Sequence, residues 1–308
     1  MYLYLPVALT SINILIPVGL GLAVGLLSGL FGVGGGFLLT PLLIMFGIPS
    51  TVAAATDSNQ IVAASTSGTY AHWKVGNVDF KMGLYLLVGG FIGGVIGVQF
   101  IKILGAMGNA DFVIKMTYVL MLGGVGTYMF IESLQSMKKK KTEVIHEVKE
   151  EKESAVNRFL KSLPLQTRFE KSGITHSVFV PIVLGGLVGI LAAIMGVGGG
   201  FLMVPIMVYM LRMPMHVVVG TSLFQILFTC IEVTFLQATT NHSVDFILAV
   251  LLLVGSTVGA QIGTVFGRKL KGEQLKILLA SIVLIVTIKI VFELTMTPTL
   301  LISQAGGH

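Results

Sequence analysis

Apolar positions along this chain gather into ten runs separated by short polar or turn-forming stretches. Five lie in the first half, at about 11–31, 35–48, 50–72, 79–104 and 112–136. Five more lie in the second, at about 174–195, 199–212, 214–240, 244–267 and 273–296. Most are about 20 residues or longer, enough at about 1.5 Å rise per residue to cross a hydrocarbon layer of about 30 Å. The second run of each half has only about 14 residues, too few for an untilted crossing. The pattern predicts an all-α polytopic membrane protein with one abbreviated segment in each half.

Internal repetition accounts for the abbreviated pair. The string GVGGGF stands at 32–37 and again, letter for letter, at 196–201. Around it Pro41 matches Pro205, Pro49 matches Pro214, Thr56 matches Thr221, Gln60 matches Gln225, and Val78-Asp79 matches Val244-Asp245. A ladder of Gly89, Gly93 and Gly97 recurs as Gly255, Gly259 and Gly263, a spacing that lets two helix backbones approach closely in lipid. The expected organisation is a first transmembrane repeat at 1–136, a charged linker at 137–172 and a second repeat at 173–308.

Composition agrees. The 308 residues are 54% hydrophobic and 11% charged, under half the charge of an average soluble domain. Residues 137–172 hold 10 of the 20 basic and 6 of the 14 acidic side chains. The net charge of +6 does not point to nucleic acid, because basic residues outside the linker stand singly or at the ends of apolar runs. The single cysteine, Cys230, excludes an internal disulfide or a Cys-based zinc site. No Lys or Arg precedes Lys74, so the positive n-region of a cleaved signal peptide is missing and the first helix is expected to stay.

Placing the linker in the cytoplasm also places Lys74, Lys81, Arg212, Arg268, Lys269, Lys271 and Lys276 inside, leaving Lys102 and Lys115 outside. That assignment requires an odd number of crossings per half. The second repeat is then inverted, and both termini are extracytoplasmic in a multi-pass plasma (inner) membrane protein. Within the linker, Ala155, Val156, Phe159, Leu160 and Leu163 recur at helical spacing and predict a short amphipathic surface helix.

The chemistry centres on the glycine strings. Glycine accepts backbone angles other residues avoid, so a helix break is expected at each GVGGG. Non-helical backbone at membrane depth survives only where protein covers it or it lines a wet cavity. Amides at the start of the following helix, around Gly34, Gly35, Gly36 and Phe37 and around Gly198, Gly199, Gly200 and Phe201, would carry the positive end of the helix dipole. Such a site receives an anion without a cationic side chain. Tight helix packing is the competing explanation for glycines here. As a nucleotide loop the string fails, since no Lys-Ser/Thr follows it.

The third run of each half adds a polar stripe. Thr56, Gln60 and Ser67 fall within about 40° on one helix face, and Thr221, Gln225 and Glu232 repeat the spacing. Asp57, Ser58, Asn59, Thr66 and Thr69 extend the first stripe, with Ser222 and Thr229 on the second. Hydroxyls and amides here can donate to an oxyanion, or can instead bond helix to helix. Asp57 and Glu232 are ionisable groups at membrane depth and candidates for proton coupling, with a structural hydrogen-bonded carboxyl as the other reading. Lys289 and Glu293 are spaced as a helical pair. No metal-binding or nucleophile motif appears, so neither enzymatic activity nor a cofactor is expected.

GLLSGLFGVGGGF at 25–37 with Pro41, the Ala-Thr-Asp-Ser stretch at 55–58, the loop from His72-Trp73 to Asp79, and the second GVGGGF with Pro205 and Gly220-Thr221-Ser222 together resemble the sulfite exporter TauE/SafE family. The resemblance covers nearly all of both halves. It implies a secondary transporter, an exporter, of small sulfur-containing anions such as sulfite or organosulfonates. Carried over by position are the two glycine motifs and the polar third segments: Thr56, Asn59 and Gln60, and Thr221, Ser222 and Gln225. The expected partners are a small anionic substrate and the lipid bilayer, with no nucleic acid, and the expected mechanism is alternating access. A cation or metal permease using Asp57 and Glu232, and a non-transporting membrane assembly subunit, are the alternatives.

Overall fold

Helices begin and end close to the polar boundaries of the ten runs. A computed structural model of the chain describes residues 2–31, 36–139, 164–211, 213–267 and 272–296. The first half contains α1 (Leu15–Phe31), α2 (Gly36–Met45), α3 (Ser50–Lys74), α4 (Phe80–Ala106) and α5 (Ala110–Lys139). The second contains α6 (Phe179–Met195), α7 (Gly200–Pro205), α8 (Met215–Leu236), α9 (Phe246–Gly267) and α10 (Gly272–Met296). Helix α7 runs on through a π-helical turn at Ile206–Met210, and α8 through another at Gln237–Asn241. Among the described residues, four stretches are long and apolar enough to span a membrane: Phe80–Ala106, Ala110–Tyr128, Met215–Asn241 and Phe246–Gly263. The amphipathic helix expected near 155–163 lies outside the described residues.

Two antiparallel hairpins add to the helical plan. Strands β1 (Tyr2–Leu5) and β2 (Thr10–Asn13) pair from Tyr2 with Asn13 to Leu5 with Thr10. Strands β3 (Gln166–Phe169) and β4 (Ile174–Ser177) pair from Gln166 with Ser177 to Phe169 with Ile174. The second hairpin follows the first at the offset that relates the glycine strings, and equivalent side chains Leu5 and Phe169 are both wholly buried.

The closest helix contacts cross between halves. Helix α1 packs along α9, and α4 along α6. In the second seam, a Cβ at Gly89 would collide with the Ile182 carbonyl, and one at Gly93 with the Gly186 carbonyl. In the first, Gly255, Gly259 and Gly263 meet the carbonyls of Val18, Leu22 and Leu26 in the same way. Both ladders press backbone on backbone, as small residues permit. Helix α3 packs on α8, and α5 on α10. Exchanging the halves therefore converts α1–α9 into α4–α6 and maps α3–α8 and α5–α10 onto themselves, which is the contact pattern of a two-fold relation. On α4, Val88, Ile92, Val95 and Ile96 stay exposed beside the buried glycines, an apolar outer surface suited to lipid.

Candidate functional site

The second glycine string interrupts its helix as the sequence predicts. Gly196, Gly198 and Gly199 have φ of 73°, 67° and 73°, left-handed values that side-chain-bearing residues avoid. The Gly196 amide caps α6 by donating to the Ala192 carbonyl at 2.8 Å. The amides of Leu202 and Met203 then return to the Gly199 carbonyl at 3.1 and 2.9 Å, so those of Gly200 and Phe201 precede the first bond of α7. Residues 196–200 are all buried. In the first copy α1 stops at Phe31 and α2 starts at Gly36, while Gly34 and Gly35 lie outside the described residues.

Helix α3 of the first half holds the break of the second. A Cβ on Gly196 would run into the Ala54 backbone, and the Ser58 hydroxyl donates to the carbonyls of Ala54 and Gly196, each at 3.2 Å. Ile61, one turn on from Ser58, touches both motifs: a Cβ on Gly36 would stand 2.8 Å from its Cγ1, and one on Gly198 would stand 3.3 Å from its Cγ2. Gly198 also faces Ile226 and Cys230 of α8, each 2.7 Å from such a Cβ. Two glycine motifs far apart in sequence thus converge on the α3–α8 pair.

Asp57 lies in this centre and is wholly buried. Its Oδ2 accepts a hydrogen bond from Thr40 Oγ1 at 2.8 Å, and its Oδ1 has no hydrogen-bond partner among the described residues. That free oxygen would stand 3.4 Å from a Cβ on Gly36. Tyr118 of α5, also wholly buried, donates its hydroxyl to the carbonyl of Met195, the last residue of α6 before the break.

The two threonines of the polar stripes face elsewhere. Thr221 Oγ1 accepts from the Asp79 amide at 3.0 Å, and Thr56 Oγ1 from the Asp245 amide at 3.2 Å. Each aspartate caps its own helix: Asp79 Oδ1 accepts from the Met82 amide at 3.0 Å, and Asp245 Oδ1 from the Leu248 amide at 3.1 Å. Their second oxygens hold the hairpins. Asp79 Oδ2 accepts from the Ser172 amide at 3.1 Å and hydroxyl at 2.6 Å, and Asp245 Oδ2 accepts from the Val7 amide at 3.1 Å. Each clasp ties a helix start to the central helix and the hairpin of the other half.

Gln60 and Gln225 are buried, and each has a side-chain oxygen without a partner among the described residues. Gln225 Nε2 donates to Thr229 Oγ1 at 3.0 Å, and both face Gly90 of α4. Glu232, farther along α8, faces Gly94 with Oε2 unpartnered among the described residues. Ser222 is buried and donates to the Val219 carbonyl at 3.1 Å, Asn59 is half-buried, and Phe37 is buried. The Phe201 and Glu293 side chains lie outside the described set. Sequence reasoning missed Thr40 and Tyr118, which have no motif, and the clasp role of Asp79 and Asp245. Their position just ahead of an apolar run is the N-cap signal that could have revealed it. Among the described residues no three His, Cys, Asp or Glu side chains form a metal-sized group.

Comparison with known proteins agrees with this architecture. A family model described as Sulfite exporter TauE/SafE matches residues 18–290. "Probable membrane transporter protein YjnA" of Bacillus subtilis (strain 168) is 28% identical over 273 residues, covering 88% of this chain and 97% of that protein. "Probable membrane transporter protein YunE" of the same strain is 25% identical over 293 residues, covering 91% and 98%. "Sulfite exporter TauE/SafE family protein 3" of Arabidopsis thaliana is 28% identical over 122 residues, covering 37% and 26%. No solved structure matches the chain. With most of its length inside the family model and its helices apolar enough to cross a bilayer, the chain belongs to the sulfite exporter TauE/SafE family and is a multi-pass membrane transporter, not an enzyme.

Proposed function

We propose that the protein is a secondary transporter of small sulfur-containing anions, sulfite and organosulfonates among them, working by alternating access. The observation that carries this reading is the interrupted helix at 196–199, buried against α3 and α8 and followed by amides that precede the first helical bond of α7, with no Lys or Arg among the buried described residues. Peptide dipoles, together with amide groups from Gln60 and Gln225, compensate the substrate's charge in a low-dielectric setting. Gly34 to Phe37 and Gly198 to Phe201 line the two sides, and Asn59 and Ser222 complete the polar surface. Thr56 and Thr221 act at one remove, by holding the clasps.

The two halves form inverted repeats, 1–136 and 173–308, joined by the charged linker at 137–172. The linker faces the cytoplasm and the termini face outward. The glycine ladders that join α1 to α9 and α4 to α6 across the halves support bodies that cross the two repeats. Those cross-half pairs rock against the central α3–α8 pair. An inside-negative potential drives outward any transported species that keeps net negative charge, by about 2.3 kcal/mol per charge per 100 mV, and export is favoured for such a species.

A cation permease is the second reading, favoured by one observation: the unpartnered atoms of Asp57, Gln60, Gln225 and Glu232 are all acceptors. Flux into liposomes containing the purified protein separates the two. Sulfite, sulfate, methanesulfonate and acetate would be offered in turn, beside sodium and potassium. Saturable flux of a sulfur anion, lost in Gly199→Val, is expected. Cation flux with no anion flux would overturn the proposal, and silence for every solute would favour the assembly-subunit alternative.

A further inference from the structure

A fixed carboxyl stands where an anion transporter would be expected to keep negative charge away. Asp57 lies against the first turn of α2, bonded to Thr40 and facing Gly36, at the end of that helix where the dipole is positive. Its Oδ1 is buried and unpartnered among the described residues, and it points at the same turn. Among the described residues, the titratable side chains close enough to feel its charge are Tyr118 from α5 and Cys230 from α8, and neither carries positive charge. The Tyr118 hydroxyl is already committed to the Met195 carbonyl. Helices α2, α3 and α6 present no other ionisable group to it among the described residues.

Ionised, this carboxylate is an internal anion that occupies the positive end of α2. A substrate anion held at the break at 196–199 would meet it at short range in a medium of low dielectric, where like charges repel by several kcal/mol. Adding a proton to the free oxygen removes that repulsion. We propose that Asp57 is the proton-carrying group of the transport cycle: its carboxylate takes up one proton as a substrate anion binds and releases it as the anion leaves. Proton and anion then share one site and cross together, and no other bond is made or broken. This rests on the anion-transport reading.

Two consequences follow from the sequence. The repeat partner of Asp57 is Ser222, which does not ionise, so the ratio is one proton per anion and not two. Glu232 does not substitute for it, since it stands two residues beyond Cys230 on α8 and so on nearly the opposite face, against Gly94. A monoanion travels with no net charge, insensitive to membrane potential. A dianion leaves with one net negative charge and remains subject to it.

The test uses the full-length protein in liposomes with an entrapped pH-sensitive dye and labelled methanesulfonate, which stays ionised throughout, so that any proton movement belongs to the protein. One proton should accompany each methanesulfonate in the wild type, at a rate unchanged when the potential is clamped. In Asp57→Asn the anion flux that remains should carry no proton and lose its response to a pH gradient. If sulfite is the sole anion moved, Asp57→Asn should carry one more negative charge per sulfite than the wild type, and an unchanged charge overturns the inference. Should the variant fail to fold, Thr40→Val, which strips the hydrogen bond on Asp57 Oδ2, should shift the pH dependence of the flux, and an unmoved profile overturns the inference. Anion flux without protons in the wild type, or an unchanged ratio in Asp57→Asn, overturns the inference and leaves the transport reading standing. Absence of anion flux altogether overturns both.

Discussion

Helices α3 and α8 occupy equivalent places in the two halves, yet they are alike in one kind of residue and unlike in another. Thr56 and Thr221, Gln60 and Gln225, and Ile61 and Ile226 stand at equivalent positions, and both threonines close the same clasp on an aspartate of the opposite half. The ionisable groups do not correspond. Asp57 is matched by Ser222, Glu232 by Ser67 and Cys230 by Ser65. Thr40, which holds Asp57, is matched by Val204. What the halves share builds the frame, and what they do not share carries the charge.

The largest effect is expected where the frame is tightest. Gly196→Val would place a branched side chain at a positive φ, costing about 1–2 kcal/mol, and drive it into the Ala54 backbone, costing about 1–3 kcal/mol more. Folded protein should fall sharply by thermal unfolding in detergent, and flux with it. Gly108→Ala provides the contrast, since Gly108 has φ of 74° but open space around it, so only the backbone cost applies. Equal losses at the two positions would mean that the contact between the break and α3 matters little.

The clasps come next. Thr56→Val and Thr221→Val each strip a hydrogen bond from a buried aspartate amide, and each should cost about 1–3 kcal/mol. Matched losses, measured by denaturant unfolding, would support the two-fold reading, and a gap of more than about 1 kcal/mol would break it. The aspartates themselves should differ, with Asp79→Asn the costlier. Its Oδ2 accepts two hydrogen bonds from Ser172, where Asp245 Oδ2 accepts one from Val7.

That comparison also separates what the sequence revealed from what it concealed. Long apolar runs and a duplicated string are local signals, and they placed the ten described helices and the break at 196–199. The hairpins escaped because four-residue strands are too short for an alternating pattern to stand out. Thr56 and Thr221 were correctly placed on a buried face, but spacing cannot tell a threonine facing a ligand from one that accepts an amide 189 or 142 residues away. The pairing of Asp57 with Thr40, and of Tyr118 with Met195, depends on how α2, α5 and α6 meet, and no periodicity carries that information. The crossing of halves through α1–α9 and α4–α6 was hidden likewise, although the glycine ladders that form it were plain.

Glu232→Gln sharpens the comparison at its weak end. The side chain is half-buried in the α4–α8 seam and its Oε2 has no partner among the described residues, so exchanging the carboxyl for an amide of the same shape removes no hydrogen bond. Stability should change by less than about 1 kcal/mol, because the described structure supplies none of the named causes of large losses. The proton-to-anion ratio should stay at the wild-type value, in contrast to Asp57→Asn. Gly94→Ala tests the same seam from the other side: its Cβ would meet Glu232 Oε2 at 2.8 Å, and the far end of a flexible side chain can swing away. A large loss of stability from either change, or a shifted ratio in Glu232→Gln, would give the second half a charged role of its own and end the division between a shared frame and a single ionising centre.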